Sequence, residues 1–97
     1  MKFRFLRPAV QELRSATKYY EDRVPGLGFD FLQEVRGAIR RMLIHPAAWF
    51  VLDDGVRRCR THRFPYGIIY IIEGDDLLVI SVMHLQRHPE SWRRNLP

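Results

Sequence analysis

Arg57-Arg58-Cys59-Arg60-Thr61-His62-Arg63-Phe64-Pro65-Tyr66-Gly67-Ile68-Ile69-Tyr70 is the stretch whose reading decides the fold. Its first half carries four arginines in seven positions and no acid. Its second half turns apolar at Ile68 and stays so to Ile72, a short β-branched run suited to a buried strand. Successive side chains of a strand point to opposite faces. From Val56 the alternation therefore puts Arg58, Arg60 and His62 on one face and Arg57, Cys59, Thr61 and Arg63 on the other. Neither face is apolar. The segment is expected either at a sheet edge or with one face kept as a working surface.

Downstream, Phe64-Pro65-Tyr66-Gly67 connects this strand to Ile68–Ile72. Glu73-Gly74-Asp75-Asp76 reads as a hairpin turn, and Leu77 to Met83 as a second buried strand. His84 to Arg87 continues out of it. Pro89 opens a short helix over Glu90 to Asn95, with Trp92 able to fold back on the sheet. Upstream, Asp53-Asp54-Gly55 is a turn signal between strands, and Trp49, Phe50 and Leu52 are core candidates.

The N-terminal half reads as helices. Lys2 to Leu6 alternates polar and apolar, as a half-buried strand does. Pro8 suits a first helical position, because its missing N–H would be unpaired there. Ala9, Leu13, Ala16 and Tyr20 then form one stripe of a helix ending near Arg23. Val24-Pro25-Gly26-Leu27-Gly28 is a turn. Phe31, Leu32, Val35, Ala38, Ile39, Met42 and Leu43 mark a second helix from about Phe29 to Ile44, stopped by His45-Pro46. So short a connection makes the two helices an antiparallel hairpin, and Gly37, if its role is structural, allows their close approach. The order is β-α-α-β-β-β with a short C-terminal helix. The fold class is α+β: an antiparallel sheet of about four strands, with the helical hairpin on one face.

Residues 1–97 form one domain on length. A composition 46% hydrophobic and 28% charged belongs to a globular chain, not a disordered one. No apolar run approaches the ~20 residues of a membrane helix. No signal peptide is read at Met1–Pro8, and the single Cys59 has no disulfide partner in the chain, so a cytoplasmic location is expected. The net charge is +5, and all sixteen basic residues except Lys2 and Lys18 are arginine. Arginine forks onto phosphates and carboxylates, so an anionic partner is expected, either nucleic acid or an acidic protein.

The chemistry-bearing residues are few. His62, His84 and His88 lack the cysteine pair or flanking carboxylates of a metal site, and neither a metal nor a cofactor is expected. Cys59, between two arginines, reads as a small core residue. Cleavage of RNA by its own 2′-OH needs a base, an acid and cations. Arg60, His84 and Arg87 supply that set if they converge. Arg58 and His62 would add charge, and Tyr66 or Trp92 would stack a base.

Several strings together resemble one family. They are the early strand, Tyr19-Tyr20 closing the first helix, Pro25…Leu27-Gly28 in the turn, Arg63-Phe64-Pro65-Tyr66-Gly67-Ile68-Ile69-Tyr70, and His84-Leu85-Gln86-Arg87-His88-Pro89-Glu90-Ser91-Trp92. This pattern, spanning Phe3 to Arg94, resembles the RelE/ParE superfamily of toxins from type II toxin–antitoxin modules, which include plasmid stabilisation systems. The resemblance implies a cytoplasmic growth-inhibiting toxin, neutralised by a cognate antitoxin that wraps it. Operator DNA would be met only through that antitoxin, and no membrane is involved. It also implies an apolar strip left open on the helical hairpin or the sheet edge for the antitoxin. RelE-like members cut mRNA on the ribosome, whereas ParE-like members inhibit DNA gyrase and are not nucleases. The central-strand arginine of the nucleases corresponds to Gly67 here, and their C-terminal tyrosine to Trp92, which has no acid–base chemistry. The resemblance therefore favours the ParE-like side, with a ribosome-dependent endoribonuclease as the alternative and a basic binding domain without toxicity as the third.

Overall fold

The computed structural model describes all 97 residues. The chain begins with β1 (Lys2–Phe5) and passes directly into α1 (Arg7–Arg23) and α2 (Leu27–Ile44). Four strands follow: β2 (Phe50–Asp53), β3 (Val56–Arg60), β4 (Tyr66–Glu73) and β5 (Asp76–His84). A 3-10 turn, Ser91–Asn95, closes the chain. The sheet has five strands in the order β1-β5-β4-β3-β2. The expected α+β architecture is present, with one strand more than the four expected. The sheet is mixed, because β1 runs parallel to β5 while every other pair is antiparallel.

The helices cover one face. Phe31, Val35, Ala38 and Met42 of α2 meet Ile68, Tyr70, Val79 and Val82, with Ala9 and Ala16 of α1 filling the narrow gaps. These are the apolar stripes read from the sequence, and period-two and period-3.6 surfaces pack here as layers. A second, smaller cluster lies on the other face: Val56, Ile69, Ile80 and Met83 under Trp92. Trp92 does fold back on the sheet and is 2% exposed. Its turn is fastened by Arg93, which bonds Asp53 at 2.6 Å and Glu90 at 2.8 Å. The bond from Arg93, reinforced by the backbone N–H of Asp54, holds the exposed Asp53 carboxyl below its usual range.

Three local expectations are corrected. The close approach of the helices is at Gly28, not Gly37. A Cβ on Gly28 would stand 2.9 Å from the Thr17 carbonyl, whereas one on Gly37 would touch nothing nearer than 3.5 Å. Glu21 then latches the turn by accepting the N–H groups of Gly26 and Gly28 at 3.0–3.1 Å. Phe50 is not core but 62% exposed, because it lies on β2 at the sheet edge. And β3 is not an edge strand: β2 covers its outer side, so its polar face needs another account.

Two side chains bind the layers. Beyond Val79, β5 has no β1 partner, and the β4–β5 ladder slips between Ile69 and Tyr70. Glu12 of α1 fills in there. Its carboxylate accepts the Val82 N–H at 3.0 Å, the Ser81 hydroxyl at 2.9 Å, the Asn95 amide at 3.0 Å and Arg87 at 3.1 Å. Asn95 also donates to the Ile80 carbonyl at 3.0 Å. Glu12→Ala strands these donors in a mostly buried place and is expected to cost about 2–3 kcal/mol of stability in urea unfolding. Glu12→Gln, which keeps an acceptor, is expected to cost less.

Tyr70 lies in the core and donates its hydroxyl to the Pro46 carbonyl at 2.6 Å. Burial pushes its phenol from the ordinary 10.0 up to about 12, against an opposing pull from Arg57. The unfolded chain sheds this proton first. The stability linked to it is thus whole below about pH 10 and lost as pH rises through about 12. Ultraviolet titration of wild type against Tyr70→Phe is expected to lose one phenolate step near 12, not near 10.

Candidate functional site

The seven residues singled out from the sequence fall into three places. Arg58, Arg60 and His62 line one groove, together with Arg41, Phe50 and Trp49. Tyr66, His84 and Arg87 line another, with Tyr19 and Glu12. Trp92 lines neither, because it is buried in the second core cluster and offers no ring to a ligand.

Strand register separates the two grooves. Cys59 pairs with Ile68 and packs under Ala38, 1% exposed, so it belongs to the helix-covered face. Burial pushes its thiol pKa up, against Arg41, as suits a core residue and not a nucleophile. Its neighbours Arg58 and Arg60 take the opposite face, across from Ile69 and Gly67. Tyr66 stays on the helix side, with its ring 4.9 Å from Phe31 and 5.2 Å from His84. Arg60 therefore does not converge with His84 and Arg87, contrary to the convergence that RNA cleavage by this set requires.

The Tyr66 cleft has a volume of about 470 Å³. It is floored by α1 and the end of β5. Burial, then the nearby Tyr20, raises the Tyr66 phenol pKa. His84 accepts the Gln86 N–H on Nδ1 at 3.1 Å, which ties that nitrogen to the turn after β5. Arg87 is paired with Glu12, so its charge is already met. No three His, Cys, Asp or Glu side chains stand together as a metal site would need.

The Arg58 groove is different in kind. No carboxylate lines it. Neither Arg41, Arg58 nor Arg60 makes a salt bridge, although seven such contacts exist elsewhere. Arg41 donates instead to the Arg60 carbonyl at 2.8 Å, which carries the α2 cation to the end of β3. The Arg58 guanidinium sits 4.8 Å from the centre of the Phe50 ring. Its Nε is buried and has no hydrogen-bond partner. Burial and the adjacent Arg60 both lower the Arg58 pKa.

Gly67 makes this arrangement possible. A Cβ there would stand 2.8 Å from both Cγ and Cδ of Arg58. The Arg58 stem lies across the glycine, in the space that a side chain on β4 would take. The family resemblance reads Gly67 as the place of an absent arginine; it carries no sign that Arg58 fills the gap. Phe50 and Arg41 also line the groove without a sequence signal for it, since Phe50 reads as core and no local pattern brings Arg41 of α2 to the end of β3. Gly67→Ala is expected to destabilise by about 1–2 kcal/mol, from overpacking against Arg58. In an Arg58→Ala background that cost is expected to vanish. An equal cost in both backgrounds, by urea unfolding, would place the conflict elsewhere.

Comparison with known proteins gives a consistent result. A family model described as "ParE toxin of type II toxin-antitoxin system, parDE" matches residues 3–89. A solved structure described as the chromosomal ParDE TA system from P. aeruginosa superposes with a TM-score of 0.76 at 16% identity. The match covers 89% of this chain and 97% of that one, and at this identity it speaks for the fold. No curated protein matches the chain.

Proposed function

Since the chain belongs to the ParE toxin family of type II toxin–antitoxin systems, we propose that it arrests growth from the cytoplasm by inhibiting DNA gyrase, and that a cognate antitoxin holds it inactive. The observation that carries the choice of target is the separation of the nuclease candidates. Arg60 lies across the sheet from His84 and Arg87, Trp92 is buried, and Gly67 carries no charge. A chain without a converged acid–base pair acts by binding, and the gyrase reading asks for binding alone. No helix is long and apolar enough to cross a membrane.

An antitoxin has a natural place to sit. Phe3, Ile39 and Leu43 leave an apolar strip beside the open edge of β1, flanked by Arg36 and Arg40. An amphipathic acidic segment would lay apolar side chains on the strip and carboxylates on the arginines. Phe29 adds exposed apolar surface beside the hairpin groove.

Induction of the gene is expected to stop growth, and co-expression of a cognate antitoxin to restore it. Purified chain is expected to block supercoiling by gyrase at saturating concentration. Normal supercoiling there, with primer extension showing cuts in translated mRNA, would replace this reading by ribosome-dependent RNA cleavage.

A further inference from the structure

We propose that the groove formed by Arg41, Arg58, Arg60, His62 and Phe50 is a binding site for single-stranded nucleic acid, with phosphates on the arginines and one unstacked base on Phe50. The arginines of this groove make no ion pair, and Glu34, at its rim, accepts the backbone N–H groups of His62 and Arg63 instead. Three guanidinium groups have no carboxylate partner, and the deepest of them, Arg58, has a buried Nε with nothing to donate to. Desolvating part of a guanidinium without a counter-charge costs stability, and an anion in the groove would offset that cost. Arg60 is exposed beside Arg58, so two forks are presented together along one strand face.

Phe50 decides which anion. It is a large aromatic ring, 62% exposed, with one side against the Arg58 guanidinium. A ring open beside a row of arginines matches alternating base and phosphate, because every base has a face that stacks on it. Duplex DNA buries its bases in the stack and would leave Phe50 idle. An acidic peptide is disfavoured by the same surface. A peptide adding to the β2 edge would run toward the Asp54 carboxylate just past the strand, Asp53 being paired with Arg93. This site is independent of the gyrase reading, since a supercoiling assay of either outcome leaves it unchanged.

The test is fluorescence anisotropy of a labelled 12-nucleotide oligothymidylate titrated with the purified chain from 50 to 200 mM salt. For three neutralised phosphates, affinity is expected to fall with a log–log slope of about −2, roughly twentyfold over that range. Arg60→Gln is expected to flatten the slope by about 0.7. Phe50→Ala is expected to weaken the single strand about tenfold and to leave duplex binding unchanged. Lys18→Ala, on the far side of α1, is expected to change affinity less than twofold. Both groove residues are exposed, and circular dichroism verifies that their variants fold. Three outcomes would overturn the proposal. The first is equal affinity for wild type and Arg60→Gln, and the second is tighter binding of duplex than of single strand. The third is competition by polyglutamate that depends on Arg60 but not on Phe50, which would assign the groove to an acidic protein.

Discussion

The carboxylate of Glu12 occupies the point where the sheet runs short of strand. β1 pairs with β5 only to Val79, and the ladder with β4 slips one residue beyond. Backbone groups left there need partners, because an unpaired buried N–H costs about as much as a lost hydrogen bond. One oxygen of Glu12 takes the Val82 N–H, the Ser81 hydroxyl and the Asn95 amide, and the other takes Arg87. A single helical side chain thereby joins α1, β5, the turn after β5 and the C-terminal 3-10 turn. The position of Trp92 over the second cluster follows, since Asn95 is held at the end of its turn and Arg93 at its middle.

That anchorage also divides the surface chemically. On the helix side, Arg87 is paired with Glu12, and the Nδ1 of His84 is taken by the Gln86 N–H. On the other side, the arginines of β3 have no such partner. Charge within reach of a carboxylate stabilises the fold; charge without one stays available to a ligand. The +5 net charge is thus not spread evenly in function. Some basic side chains are held in ion pairs such as Arg4–Glu73 and Lys18–Asp22, whereas Arg41, Arg58 and Arg60 share one groove without any.

A fold shared at 16% identity places its constraint in pattern more than in residue identity. Apolar stripes of period 3.6 and apolar runs of period two survive exchange among Val, Ile, Leu and Phe, because core packing tolerates volume-conserving swaps. Functional surfaces do not inherit that tolerance. Gly67 and Arg58 are a case in point, since one side chain occupies the room the other position vacates.

The sequence alone determined the two helices, the strands from Val56 onward, the connecting turns and the alternation of β3, because each is written in local periodicity and turn chemistry. It determined the resemblance to a toxin superfamily for the same reason, as strings of adjacent residues. It also placed Arg58, Arg60 and His62 together, since one strand face is a local property. Only the tertiary structure decided what lies across from them. The parallel pairing of β1 with β5 joins residues more than seventy apart, and no local pattern specifies such a partner. The same holds for the parting of Arg60 from His84 and Arg87, which depends on register between β3, β4 and β5. Phe50, read as core, became surface because an edge strand lacks a neighbour on its outer side, and edge or centre is fixed only when the whole sheet is assembled.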